Sequence, residues 1–261
     1  MSQRKNGLKK LAGLFLYPAL INCFGLLPYQ AAKSEPVDFQ ISQWGGGGGG
    51  GWPQPAYRGA PARTIGGGTR GDGCISEDLP KRSALIPTNN VWTTLSDRPK
   101  FFWYVPSTKA KTAEFVVLDQ NGEEVYSKML DLSQVKTGTI IEENLPPDVS
   151  LETGEVYTWQ LSIVCNPQRR SGDVYLEGWV ESLDLEADQL NQLQTNLKQA
   201  GEDSWKQAEV YLNAGIYNEL VSLLAQNRCD YQNEWQELLN WMGLEAQVGT
   251  DTIAQCAVQN N

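Results

Sequence analysis

The hydrophobic period of this chain changes once, close to Leu183. From Val156 to Cys165 the residues Tyr157, Trp159, Leu161, Ile163 and Cys165 fall on one side, and Thr158, Gln160 and Ser162 on the other. A period of two is the mark of a half-buried strand. Past Leu183 the spacing becomes helical. Leu190, Leu193 and Leu197 share a face, and Trp205, Ala208, Tyr211 and Leu212 form a stripe behind the capping-box spacing of Ser204 and Gln207. Gly215 interrupts, Ile216, Leu220, Leu223 and Leu224 resume, and Trp235, Leu238, Leu239 and Met242 mark a further helix closed by Gly243. Residues 252–258 give a last short helix carrying Cys256. Strands followed by helices define an α+β chain.

The strand half carries frequent turn signals. Phe101-Phe102-Trp103-Tyr104-Val105 is an aromatic run bounded by Pro99 and Pro106. Residues 114–132 read as a hairpin about Asp119-Gln120-Asn121-Gly122, and Thr139 to Leu145 stops at Pro146-Pro147. In the last strand Val174, Leu176, Gly178 and Val180 form the apolar face, with Tyr175 and Trp179 opposite. Six or seven short strands over about 100 residues predict an antiparallel β-sandwich, immunoglobulin-like by analogy with the Trp159–Cys165 strand. The passage from Ala208 through Gly215 to Leu224 resembles one tetratricopeptide helix pair. One pair cannot bury its own face. The helical segment is therefore expected to close on itself through Cys229 and Cys256, or to pack on the sandwich.

The boundaries follow: 1–32 a signal peptide, 33–73 a flexible linker, 74–184 the β-sandwich domain and 185–261 the helical segment. Arg4, Lys5, Lys9 and Lys10 precede an apolar run from Leu11 to Leu27, and Ala31-Ala32 follows. That is a secretory signal, with an uncleaved anchor as the alternative. The linker holds the glycine run Gly45 to Gly51 between Trp44 and Trp52, then Pro53, Pro55 and Pro61. It has too little apolar surface to offset the cost of ordering. Its two tryptophans are either residual hydrophobes or anchors that dock on a partner or on the domain.

Export explains the cysteines. Beyond Cys23 in the signal stand Cys74, Cys165, Cys229 and Cys256, which allow three connectivities; pairing within segments, Cys74 with Cys165 and Cys229 with Cys256, is the simplest. A zinc site is disfavoured because no C-x-x-C spacing occurs.

Composition removes several activities. The chain has no His, which excludes Ser-His-Asp and Cys-His catalysis and histidine metal sites. Its net charge of −10 leaves no basic surplus for nucleic acid. Gly66, Gly68 and Gly71 spell G-x-G-x-x-G without a strand before or a helix after, so a flexible loop is the better reading. Arg70-Gly71-Asp72 spells an adhesion tripeptide of a length that arises by chance. Glu142-Glu143, Glu177 with Glu181, and Asp184, Glu186 and Asp188 lack the convergent geometry of a glycosidase pair or of an EF-hand loop. No catalytic residue, metal site or cofactor is expected. The speculative binding residues are Arg169 and Arg170, in the loop after Cys165, and Trp92 and Trp103, as part of an aromatic platform for sugars.

The chain resembles a family of exported cyanobacterial proteins carrying a domain of unknown function. The likeness rests on Gly66-Gly67-Gly68-Thr69-Arg70-Gly71 with Cys74, Ala84-Leu85-Ile86-Pro87 and Phe102-Trp103-Tyr104-Val105-Pro106. It continues through Tyr157-Thr158-Trp159, Cys165-Asn166-Pro167, Arg170-Ser171 and Gly178-Trp179-Val180, then Gly215-Ile216-Tyr217, Trp235 and Gly243-Leu244. It implies a shared exported module and no activity. The resulting expectation is a non-enzymatic, extracytoplasmic protein-interaction module, with an envelope or secreted protein as partner and no membrane span beyond the signal or anchor. A glycan-binding module and, behind it, a carboxylate-dependent hydrolase are the alternatives.

Overall fold

A computed structural model describes Trp52, Cys74 and residues 83–105, 108–135, 139–244, 246–254 and 256. The expected signal peptide, the glycine run, the Gly66–Gly71 motif and the Arg70-Gly71-Asp72 tripeptide lie outside the described residues.

The strands are β1 (Val91–Thr94), β2 (Lys100–Val105), β3 (Thr112–Leu118), β4 (Glu124–Asp131), β5 (Thr139–Asn144), β6 (Val156–Val164) and β7 (Val174–Ser182). The helices α1 (Ala187–Ala200), α2 (Ser204–Asn213), α3 (Tyr217–Gln226), α4 (Gln232–Trp241) and α5 (Ala246–Ala254) follow. The α+β class is as expected. Five strands form one sheet in the order β1-β7-β6-β3-β4, and β2 pairs with β5 in a second; neither closes. One pairing departs from the antiparallel expectation: β1 runs parallel to β7, with Trp92 opposite Val180. The chain leaves β1 for the other sheet, so no hairpin dictates a direction there.

Alternation decides which residues of the large sheet are buried. Tyr157, Trp159, Leu161 and Ile163 of β6 are buried, as are Ala113, Phe115 and Val117 of β3. Trp159 lies directly opposite Gly178 of β7. A Cβ on Gly178 would stand 2.7 Å from Cζ2 of that indole, so only glycine lets the ring lie flat across β7.

The aromatic run is buried on both sides because β2 is a middle layer. Phe101 and Trp103 enter a core with Trp92, Phe115 and Trp159. Ring centroids there lie 4.8 Å apart for Phe101 and Phe115, and 4.9 Å for Trp92 and Trp159. Phe102 and Tyr104 point the other way, into a second core with Leu220, Trp235, Leu238 and Val248 of the helices. A strand covered on both faces reads as a continuous apolar run.

The helices pack on β1, β2 and β5. The Thr93 hydroxyl accepts from the Tyr217 amide at 3.0 Å and donates to the Gly215 carbonyl. The Asn218 amide group donates to the Lys100 carbonyl at 2.6 Å. Cys229 and Cys256 are bonded, with Cα atoms 5.5 Å apart, and join the turn before α4 to a helical residue two positions after Ala254. Both routes proposed for burying the helix pair are therefore used. One cap is shifted from the sequence reading. Asp203, not Ser204, caps α2, accepting from the Trp205 and Lys206 amides at 3.1 Å each, while the Gln207 side chain turns to the Gly201 carbonyl. A carboxylate is the stronger acceptor for helix N–H groups.

Candidate functional site

The outer face of the five-stranded sheet is built by the residues that alternation turns away from the core. Its register sets them in rows. Met129 lies opposite Glu114, Glu114 opposite Ser162, and Ser162 opposite Tyr175. The next row runs Ser127, Val116, Gln160, Glu177, and the third brings Thr158 against Trp179. Met129 is 53% exposed, the most exposed large hydrophobic among the described residues. Val116, Tyr175 and Trp179 are half-buried. Tyr175 and Trp179 stand four residues apart on one side of β7, about 13 Å by strand rise.

Polar contacts fix part of this face. The Tyr175 hydroxyl donates to the Glu177 carboxylate, which also takes a long bond from Gln160 Nε2 at 3.5 Å. Arg170 reaches the face from the loop before β7: Nη2 donates to Glu114 Oε2 at 2.8 Å and Nε to Asp173. These two carboxylates raise the guanidinium pKa still further, so Arg170 is a clamp between loop and sheet. The loop has its own supports. Asn166 Oδ1 accepts from the Gln168 amide at 2.9 Å, and the Asp173 carboxylate accepts from the Cys165 amide at 3.0 Å. Cys165 is bonded to Cys74, with Cα atoms 5.0 Å apart. Arg169 is exposed beside it.

Both cysteine pairs thus match the simplest sequence pairing. The aromatic platform is corrected. Trp92 and Trp103 are each 0% exposed, packed between the two sheets, so neither ring has a face for a sugar. The Trp92 indole N–H donates to the Leu85 carbonyl at 2.8 Å, whereas that of Trp103 is buried without a partner. Tyr175 and Trp179 are the aromatics that reach the surface of the sheet. Their alternation against Leu176, Gly178 and Val180 carried that signal in the sequence.

Apart from the Glu114 and Asp173 pair held by Arg170, the acidic clusters are engaged singly. Glu142 pairs with Lys100 at 2.7 Å. Glu143 pairs with Lys128 at 2.9 Å, joining β5 to β4, and beside it burial and that charge push the Tyr126 hydroxyl up to about 12. A groove of about 330 Å³ between α1 and α2 holds one carboxylate, Glu209, beside Lys206. A smaller cavity of about 120 Å³ under Phe102 and Ile140 also holds one, Glu142. Neither supplies the facing pair a hydrolase requires. Among the described residues no group of His, Cys, Asp or Glu is assembled to hold a metal ion, and no helix is long and apolar enough to cross a membrane.

Two comparisons with known proteins bear on the chain. The family model described as Domain of Unknown Function (DUF928) matches residues 65–256. No curated protein matches.

Proposed function

Because the chain belongs to the Domain of Unknown Function (DUF928) family, whose name carries no chemistry, we propose from its own geometry that it is an exported, non-catalytic module that binds a protein partner. The contact surface is the outer face of the five-stranded sheet with the Arg169–Arg170 loop at its rim. One observation carries this reading: Met129 is 53% exposed on the outer face, with Val116, Tyr175 and Trp179 half-buried beside it, while among the described residues the turn before α3 covers that face only at the β1 edge, where it meets Thr93. An exposed Met beside half-buried aromatic groups, bordered by an Arg, is the composition of a binding patch. The two disulfides support export, since such bonds persist in oxidising compartments. The cyanobacterial source implied by the sequence resemblance belongs to the same reading. We also read the two sheets as layers of an immunoglobulin-like sandwich. The strand order, β1 beside β7 and the aromatic core between the sheets support that view.

Glycan binding at the same face is the second reading. Tyr175 and Trp179 flank Glu177 and Gln160, a pattern of stacking surfaces around hydrogen-bonding groups.

The test is affinity capture from cyanobacterial envelope extract with three full chains: wild type, Trp179→Glu and, as a control on α1, Leu190→Ala. Wild type and Leu190→Ala should recover the same specific protein, and Trp179→Glu at least tenfold less. Equal recovery by all three removes the sheet face as the site. Retention on a polysaccharide column, lost in Trp179→Glu, selects the glycan reading instead.

A further inference from the structure

Trp52 lies far from the helices in sequence, yet it packs on them. Its ring centroid is 6.1 Å from that of Trp205, in the first turn of α2, and 5.7 Å from that of Trp241, the last residue of α4. Trp241 in turn lies 5.3 Å from Tyr217, the first residue of α3. Two helix ends thus meet the Trp52 indole, with Tyr217 of a third against Trp241, and Trp52 joins the apolar cluster of the helical layer. In sequence Trp52 has seven glycines before it and Pro53 and Pro55 after it. A single tryptophan between glycines and prolines has the composition of a short peptide ligand, since glycine permits close backbone approach and proline favours an extended chain.

We infer that Trp205, Tyr217 and Trp241 form a recognition notch for a single tryptophan on a glycine- and proline-flanked peptide, and that Trp52 fills it in cis. The notch belongs to α2, α3 and α4, and the inference does not depend on the sheet-face reading. A tethered ligand acts at an effective concentration of order millimolar, so the resident tryptophan excludes a free competitor. Trp44, on the far side of the glycine run, is a second candidate ligand from the same chain.

The probe is the peptide Gly-Gly-Gly-Trp-Pro-Gln-Pro, the sequence of residues 49–55, synthesised with 5-fluorotryptophan and observed by fluorine NMR. It is titrated with three full chains: wild type, Trp44→Ala/Trp52→Ala, and that double variant with Trp205→Ala added. The double variant should shift and broaden the peptide signal saturably, and wild type should bind at least tenfold more weakly. Adding Trp205→Ala should return the spectrum of free peptide. Trp205→Leu keeps the apolar bulk without the ring face and replaces the alanine variant if that one does not fold. Equal binding by wild type and double variant, binding that survives loss of the Trp205 ring, or no binding by the double variant would each overturn the inference.

Discussion

At Gly178 the absence of one methyl group decides how the core packs. The Trp159 indole occupies the space a Cβ would need, at 2.7 to 2.9 Å from three of its ring atoms. Gly178→Ala should therefore cost about 1–3 kcal/mol, the usual penalty of overpacking, read as a lower urea midpoint. An unchanged midpoint would mean that the ring moves freely. Glu219 makes a second prediction. It accepts from the Thr94 hydroxyl and the Leu95 amide at 2.9 Å each, while its other oxygen is buried without a partner. Burial raises its pKa above the ordinary 4.5, outweighing those bonds, and the neighbouring Tyr211 hydroxyl is raised by burial and by that charge. A raised carboxyl stabilises the fold fully below its unfolded pKa, and that contribution is lost as pH rises through the folded value. Wild type should thus lose melting temperature relative to Glu219→Gln as pH rises from about 4.5. A difference between the two that does not vary with pH would refute the assignment. Residue identity alone could place Tyr175 and Trp179 on the outer face, because they alternate with Leu176, Gly178 and Val180. It could not place Trp92 and Trp103, since a run of aromatics does not say how many layers cover it.

Elements were legible where their signal is local. The hairpin of β3 and β4 is written in Asp119-Gln120-Asn121-Gly122: Asp119 accepts from the Asn121 and Glu123 amides at 2.8 and 2.9 Å, and Gly122 takes φ +81°. The positions of α1 to α4 followed from the leucine spacing, whereas α5 begins at Ala246, six residues before the helix expected at 252–258, in a stretch with no leucine past Leu244. Non-local features were illegible. The parallel β1–β7 pairing and the double burial of β2 depend on contacts between distant segments, and period carries no record of them. The disulfides connect the two levels. By the loop-entropy relation the Cys229–Cys256 bond, spanning 27 residues, contributes about 3.5 kcal/mol, and Cys74–Cys165, spanning 91, about 4.5 kcal/mol. Replacing Cys229 and Cys256 by Ser should lower the unfolding free energy by about the first amount and speed amide exchange in α4 and α5. Exchange unchanged in those helices would show that the bond does not brace them.

For the whole molecule, β2 joins what the sequence divides at Leu183. The five-stranded sheet packs on one side of it and the helices on the other, so the layers hold one another in place. The sheet then keeps its outer face in a fixed shape, and the Arg170 clamp and the Cys74–Cys165 bond hold the loop at its rim. This arrangement suits contact with a partner, because a rigid patch loses little freedom on binding. The most direct test puts a photoreactive benzoylphenylalanine at Met129 of the full chain in the cells that natively produce it, with the same residue at Leu190 of α1 as control. Irradiation should join the chain to one discrete partner from position 129 and not from position 190. Identical adducts from both positions, or none from 129, would contradict the account.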